Sequence, residues 1–146
     1  MSLRLSSETV HASTVAIDGR AVLILGPSGS GKSDLALRLI DRGFTLVSDD
    51  QTIVSKAGKA LVATAPETIR GRMEIRGIGI VDMPSVGEMP IALAVELTSD
   101  ITRMPDDSRE RRFLDIGVPL ISVDATTASA AIKVALALDR LGLKTA

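Results

Sequence analysis

The sequence predicts an α/β fold, a single P-loop domain built around a mixed sheet. One observation is the segment GPSGSGKS at residues 26–33, which follows an apolar run and precedes a segment with helical periodicity. Another is the number of short apolar runs divided by turn residues, which is too high for strict alternation of strands and helices. The third is size, because 146 residues, of which 45% are hydrophobic, suit one domain with a buried core.

The elements on either side of the P-loop follow from local patterns. Apolar residues 14–17 and 21–25 flank Asp18-Gly19, and Asp-Gly between apolar segments indicates a tight β-hairpin. We therefore expect an antiparallel neighbour for the strand that enters the P-loop. After the P-loop, apolar pairs four residues apart predict a helix that stops near Gly43.

The rest of the chain predicts further strands and a closing helix. Residues 44–50 form a strand-like run that ends in two acids, and residues 51–64 suggest a second hairpin that turns at residues 57–59. A glycine-punctuated segment follows at residues 70–83 and an apolar strand at 91–97. Then come a charged stretch at residues 100–112, a second apolar strand at 118–123 and a helix at 124–142. We expect this helix to be capped by Asp124 or Thr126 and to present one face with Ala128, Ile132, Ala135 and Leu138.

Composition excludes several classes of function. The chain has no cysteine and one histidine, so cysteine-ligated zinc and thiolate catalysis are excluded and any metal needs oxygen ligands. A formal charge of −1 and the absence of Trp and Tyr argue against nucleic-acid binding. No apolar run reaches membrane-spanning length or forms a secretory signal, so we expect a cytoplasmic protein with no membrane partner.

The GPSGSGKS segment carries the chemistry of phosphate binding. Its glycines let the backbone curl until N–H groups point at phosphate oxygens, above the positive end of the following helix. Lys32 can reach the β- and γ-phosphates, and the Ser33 hydroxyl can ligate magnesium. We expect a nucleoside triphosphate or polyphosphate to be bound by the whole segment: Gly26, Pro27, Ser28, Gly29, Ser30, Gly31, Lys32 and Ser33.

Three acids are candidates for catalysis or metal binding. Asp49 and Asp50 end a strand about one helix after the P-loop, where P-loop proteins place an acid near the metal or the nucleophile. One can hold the metal while the other accepts a proton, although adjacent strand residues point to opposite faces. An ordinary acidic turn is the alternative. Glu74 can bind magnesium or orient substrate, or can belong to a surface loop.

Two basic candidates stay open on the residues alone. His11 lies before the first predicted strand, where it can reach the strand end near the phosphates or lie on the surface. Arginines and acids alternate in residues 100–112, which is typical of a solvated helix or loop. An arginine from this stretch that reaches the transferred phosphoryl group is the alternative.

Four motifs in this order resemble the catalytic domain of bacterial HPr kinase/phosphorylase, which acts on a serine of the phosphocarrier protein HPr. They are His11 ahead of the P-loop, the loop GPSGSGKSD itself, the strand RGFTLVSDDQ with its paired acids, and the signature segment MEIRGIGIVD. The resemblance covers about residues 8–97, and the signature segment is its most specific part. In length the chain is similar to the short proteobacterial members of that family.

The resemblance implies a nucleotide-binding core similar to that of phosphoenolpyruvate carboxykinase, and ATP and Mg²⁺ as cofactors. It implies phosphorylation of an HPr-like carrier of a phosphotransferase system. It also implies a reverse reaction in which inorganic phosphate attacks phosphoserine and pyrophosphate leaves.

The resemblance also implies a role for each matched residue. Lys32 would bind the phosphates, while Ser33 and Glu74 would hold magnesium. Asp50 would take the serine proton in the forward direction and return one in reverse, with Asp49 as a supporting acid. His11 would assist the reverse reaction, and Arg103 is named as the catalytic arginine.

The sequence also departs from the family pattern. Longer members carry an N-terminal domain, so we expect residues 1–146 to be a single catalytic domain without it. After residues 118–123 the chain lacks the family's Arg-Pro-Gly-Arg-Asn stretch, which contacts substrate or phosphate. The family implies a homo-oligomer, typically a hexamer. Two other functions remain as alternatives: a catalytically weak nucleotide- or phosphate-sensing module, and a P-loop kinase of small molecules.

Overall fold

The computed structural model describes residues 6–101 and 109–144. Within these residues it contains a nine-stranded mixed sheet, a separate two-stranded hairpin and two α-helices. The main-sheet strands are β1 Ser7–Val10, β2 Ala12–Ile17, β3 Arg20–Leu25, β4 Thr45–Ser48, β5 Thr52–Ala57, β6 Ala60–Thr64, β9 Met89–Leu97, β10 Glu110–Phe113 and β11 Ile116–Val123. The hairpin is β7 Arg72–Ile75 with β8 Gly79–Asp82, and the helices are α1 Lys32–Asp41 and α2 Ala130–Leu141.

Strand β9 is the centre of the sheet. The strand order is β1-β5-β6-β9-β3-β2-β4, with β11 paired to β9 and β10 paired to β11. Residues 89–90 of β9 pair with β6, whereas residues 94–97 pair with β11. Strands β3, β9 and β11 run parallel, and their other partners are antiparallel. The predicted mixed sheet is therefore confirmed, and the carboxyl ends of β3, β9 and β11 lie at one edge.

The hairpin before the P-loop is confirmed. Residues of β2 and β3 pair in antiparallel register from Ala12 with Leu25 to Ile17 with Arg20. The connecting residues Asp18 and Gly19 have φ of 52° and 75°, and two positive φ values are what a two-residue turn of this hand requires. The turn chemistry therefore sets the register of the strand that enters the phosphate loop.

Side chains alternate between two apolar layers, one on each face of the sheet. Val22 and Ile24 of β3 pack on the layer that includes α1 and α2, whereas Leu23 packs on the layer that includes β5, β6 and β10. Alternation with period two explains this division. Within the first layer, Leu35 and Val134 are fully buried and connect the two helices to the sheet.

The closing helix differs from its prediction at its start and on its buried face. Its first residue follows Ser129, while Asp124 instead accepts a hydrogen bond from the Thr126 N–H in the preceding turn. The buried residues are Ala130, Ala131, Val134 and Leu138, and Ile132 is 44% exposed. Of the face predicted from Ala128, Ile132, Ala135 and Leu138, the structure therefore fully buries only Leu138. The helix is apolar around much of its circumference, so packing against the sheet decided which stripe is buried.

Four strands form where no strand was predicted. Strand β1 pairs with β5 as an exposed edge strand, and β10 forms from the charged stretch after residue 109. The glycine-punctuated segment forms the β7–β8 hairpin, in which Glu74 pairs with Ile80. Exposed strands carry little of the apolar alternation that predicts a strand from sequence.

Among the described residues, no helix has the length and apolar character needed to cross a membrane.

A polar cluster joins three segments at the carboxyl end of β9. The Glu96 carboxylate accepts hydrogen bonds from the Ser122 hydroxyl and from the Arg109 guanidinium, each at 2.5 Å. These two hydrogen bonds, that of Ser122 first, lower the pKa of Glu96 below its ordinary value of 4.5. The cluster therefore stabilises the pairing of β9 with β11 while Glu96 is ionised.

Substitution of Leu93 tests the assignment of the apolar core. Its side chain is fully buried in β9 between the sheet and the helices. We expect Leu93→Ala to lower the free energy of unfolding by about 2–5 kcal/mol, from lost burial and a residual cavity. Urea denaturation measures the change. Ile80→Ala, at a position 72% exposed on β8, is the control, and an equal loss in both variants would contradict this assignment of the core.

Substitution of Glu96 tests whether the polar cluster stabilises the fold, through the pH dependence of the unfolding free energy. Because its pKa is lowered in the folded state, it contributes stability above the unfolded value of 4.5, and this contribution is lost as pH falls through the folded pKa. The difference in unfolding free energy between the wild type and Glu96→Gln should therefore shrink between about pH 6 and pH 3. Denaturation series across this range measure it. A difference independent of pH would show that ionised Glu96 does not stabilise the fold.

Candidate functional site

The P-loop connects the end of β3 to the start of α1. Ser30 N–H donates to the Pro27 carbonyl at 3.1 Å, which closes the loop as a turn. Gly31 precedes the helix with φ of 100°, a conformation that favours glycine because it has no Cβ. Since Gly31 also has no side chain to cap the helix, the N–H groups of the first turn are left for an anion.

Lys32 lies beneath this loop and is almost completely buried. Its Nζ donates to the carbonyl oxygens of Gly26 at 2.8 Å and Pro27 at 3.0 Å. The same atom lies 3.5 Å from Asp50 Oδ1. The lysine charge is therefore held between the phosphate loop and one of the predicted catalytic acids.

The Asp49 carboxylate is 7% exposed and is surrounded by donors. Its Oδ1 accepts hydrogen bonds from the Ser33 hydroxyl at 2.6 Å and the Ser13 hydroxyl at 3.0 Å. Its Oδ2 accepts from the Glu74 N–H at 3.3 Å. A buried carboxylate needs such partners, and here they come from α1, β2 and β7.

Asp49 and Asp50 face the same cavity, although adjacent residues of a strand would face opposite ways. Strand β4 ends at Ser48, so both acids lie in the turn before β5. Asp50 adopts φ of 67°, in the left-handed region. This change of backbone direction, which the sequence pattern does not reveal, lets both carboxylates reach the P-loop.

Three buried hydroxyl groups lie on β2 and β5, beside the turn that carries Asp49 and Asp50, which we call the acid turn. Ser13, Thr14 and Thr52 are fully buried. The hydroxyl of Thr14 lies 2.7 Å from that of Thr52, and Thr52 donates to the Ala12 carbonyl at 2.9 Å. Sequence reasoning missed Ser13, whose only signal was a hydroxyl residue inside an apolar run.

The β7–β8 hairpin forms the opposite wall of the cavity. The cavity has a volume of about 930 Å³ and is bounded by the P-loop, the acid turn and the hairpin tip. Glu74 is exposed on this wall, and the tip that follows it includes Gly77 and Gly79 and presents Ile78, which is 76% exposed. The tertiary structure thus brings Lys32 and Ser33 together with Asp50 and Glu74, which are distant in sequence.

The remaining predicted residues lie elsewhere or outside the described part of the chain. His11 is exposed at the junction of β1 and β2 and does not line the cavity. Arg103 lies outside the described residues. Ser28 and Gly29 line the cavity, while Gly26 and Pro27 contact Lys32 through their carbonyl groups.

The oxygen groups near the P-loop suit magnesium in the way nucleotide enzymes hold it. In residues 6–101 and 109–144, no three His, Cys, Asp or Glu side chains form a cluster that could enclose a metal by themselves. Magnesium at phosphates needs only one or two protein oxygens, because phosphates and waters supply the others. The Ser33 hydroxyl and the Asp49 and Glu74 carboxylates are groups of this kind at the cavity.

Comparison with known proteins agrees with this geometry. Residues 4–139 match the family model described as the HPr Serine kinase C-terminal domain. The chain is 38% identical over 128 residues to the HPr kinase/phosphorylase of Caldanaerobacter subterraneus subsp. tengcongensis, covering 79% of this chain and 42% of that protein. It is 36% identical over 133 residues to the HPr kinase/phosphorylase of Levilactobacillus brevis, covering 82% of this chain and 43% of that protein. The chain thus spans about two fifths of these relatives.

The fold leads to the same family. The solved structure of the Hpr(Ser) kinase/phosphatase from Coxiella burnetii superposes with a TM-score of 0.78 and 31% sequence identity, covering 91% of this chain and 95% of that one. The predicted α/β P-loop fold is confirmed by this likeness. The family match over most of the sequence, together with the identity to these relatives, shows that the chain belongs to the HPr serine kinase C-terminal domain family.

Proposed function

We propose that this chain is an ATP-dependent protein serine kinase that phosphorylates an HPr-like phosphocarrier protein. The observation that carries the proposal is the approach of Asp50 Oδ1 to within 3.5 Å of Lys32 Nζ at the mouth of the P-loop. A phosphate-binding cation and a carboxylate that can accept a proton then face the same cavity. Membership of a serine kinase family supports this function over a small-molecule kinase or a sensing module.

The P-loop and its two polar side chains would bind the nucleotide. The N–H groups at the start of α1 suit the phosphates, and Lys32 would exchange its carbonyl partners for the β- and γ-phosphates. Ser33, with Asp49 or Glu74, would hold magnesium, which neutralises charge on the phosphates when bound. Asp49 also orients the Ser33 hydroxyl, because its Oδ1 accepts a hydrogen bond from it.

Asp50 would act as the general base. Its side chain is 56% exposed, so a serine hydroxyl from another protein can reach it. The serine oxygen forms a bond to the γ-phosphorus as the bond from that phosphorus to the ADP oxygen breaks, and the serine proton passes to Asp50.

The same groups suit the reverse direction. An oxygen of inorganic phosphate would attack the phosphoserine phosphorus, the bond to the serine oxygen would break, and protonated Asp50 would return a proton to that oxygen. The products are serine and pyrophosphate. The names of the relatives as kinase/phosphorylase support this proposal. The assistance of His11 in the reverse reaction and the role of Arg103 as the catalytic arginine remain predictions.

We also propose that residues 1–146 act as one catalytic domain within a homo-oligomer. Ile132 and Leu136 are 44% and 57% exposed on the outer face of α2, which gives an apolar surface for self-association. Sedimentation velocity tests the assembly, with a hexamer as the expected state. A monomer at micromolar concentration would contradict it.

Label transfer tests the proposed activity directly. We expect the protein to move the γ-phosphoryl group of labelled ATP to a serine of an HPr-like carrier, and to stop when EDTA removes magnesium. Mass spectrometry of the carrier identifies the modified residue. Phosphorylated carrier with inorganic phosphate should release pyrophosphate. No label on any carrier serine would rule out the kinase, and label only on small metabolites would favour the small-molecule enzyme.

Asp50→Asn tests the general base. The amide cannot accept the serine proton, so we expect the rate of transfer to fall by about 10²–10⁴-fold while ATP remains bound. Single-turnover transfer and equilibrium binding of a fluorescent ATP analogue measure the two effects. Asp41→Asn is the matched control, because Asp41 is exposed at the end of α1 and does not line the cavity. Transfer by the Asp50 variant at near the wild-type rate would exclude this role.

A further inference from the structure

The buried hydroxyl of Ser13 contacts both acids of the site. It donates to Asp49 Oδ1 at 3.0 Å and accepts a hydrogen bond from the backbone N–H of Asp50 at 3.1 Å. Ser13 is fully buried in β2, the strand next to the one that enters the P-loop. One fully buried side chain of the sheet therefore holds the carboxylate of one acid and the backbone of the other.

The backbone of Asp50 needs such a contact. Its φ of 67° is uncommon for a residue with a side chain, and such conformations persist only where the surroundings hold them. Within the same turn, Gln51 N–H donates to the Asp49 carbonyl at 2.7 Å, and the Ser48 hydroxyl donates to the Gln51 carbonyl. Those bonds close the turn on itself, whereas Ser13 connects it to the sheet.

The neighbouring hydroxyl, that of Thr14, connects two strands and serves as a comparison for Ser13. Thr14 is equally buried, and its Oγ1 lies 2.7 Å from Thr52 Oγ1, which connects β2 to β5. None of the hydrogen bonds that Thr14 makes through its side chain in the described residues reaches Asp49 or Asp50. Ser13 and Thr14 are therefore adjacent buried hydroxyl residues of which only Ser13 contacts the acids.

We propose that Ser13 is a positioning residue for phosphoryl transfer. Through the Asp50 N–H it fixes the left-handed turn that directs the Asp50 carboxylate toward Lys32. Through Asp49 it keeps that carboxylate directed at the Ser33 hydroxyl, 2.6 Å away. Ser13 does not line the cavity, so it acts through these acids and not on the substrate. This inference rests on the proposed kinase function.

The experiment compares Ser13→Ala with Thr14→Val in the label-transfer assay. Loss of the Ser13 hydroxyl leaves the Asp50 N–H without its acceptor and lets the acid turn shift. We expect kcat for carrier phosphorylation to fall by about 10–100-fold, since displacement of a catalytic group by about 1 Å has effects of that order. KM for ATP should stay within about threefold of the wild-type value, because Lys32 keeps its carbonyl partners and Asp49 keeps its hydrogen bonds from Ser33 and from the Glu74 N–H.

Thr14→Val also loses a buried hydroxyl, and it should lower Tm about as much as Ser13→Ala while kcat stays near the wild-type value. Ser13→Cys is the second variant if Ser13→Ala does not fold. It keeps nearly the same shape, but its thiol is a weak donor and acceptor, so a similar fall in kcat is expected.

Each outcome decides the inference. A wild-type kcat in Ser13→Ala or Ser13→Cys would overturn it, as would equal falls in kcat in Thr14→Val and Ser13→Ala. A parallel rise in KM for ATP would assign Ser13 to general support of the fold. A wild-type protein that transfers no label would overturn the proposed function and this inference together, whereas an active wild type with an active Ser13→Ala variant overturns the inference alone.

Discussion

The buried carboxylate of Asp49 is the constraint on which the site depends. A carboxylate that is 7% exposed loses most of its hydration, and burial of a charge without compensating hydrogen bonds is costly. Its donors come from three separate elements, as the hydroxyls of Ser13 and Ser33 and the N–H of Glu74. Satisfying this one group therefore fixes the distance from the acid turn to the P-loop helix and to the β7–β8 hairpin.

The parallel arrangement of β3 and β9 explains where the site lies. Leu25, the last residue of β3, pairs with Glu96 near the end of β9, so both strands end at the same edge of the sheet. Ligands of α/β sheets bind at the carboxyl ends of the strands, where loops and helix N-termini meet. The antiparallel partner β2 adds to this common arrangement, because it carries Ser13 behind the acid turn.

The nucleotide loop and the acids could be located from the sequence because each depends on a local pattern. Glycines and Lys32 identify the P-loop, and Asp49-Asp50 after an apolar run identifies the end of a strand. The side on which each acid lies could not be predicted, since it depends on the left-handed φ of Asp50. Ser13 is 36 residues from Asp49 in the sequence, so its contact with the acids has no local signature.

By itself, the sequence determined the P-loop, the helix after it, the Asp18-Gly19 hairpin and the family resemblance, because turn chemistry and apolar spacing act over a few residues. Tertiary structure decided which stripe of α2 is buried, since Ile132 and Val134 are both apolar and only packing against the sheet distinguishes them. Tertiary structure also decided that Glu74 faces the cavity, because the hairpin that carries it packs Met73 into the core and donates the Glu74 N–H to Asp49. Local patterns thus specify which groups the site contains, whereas long-range hydrogen bonds and packing determine how those groups face each other.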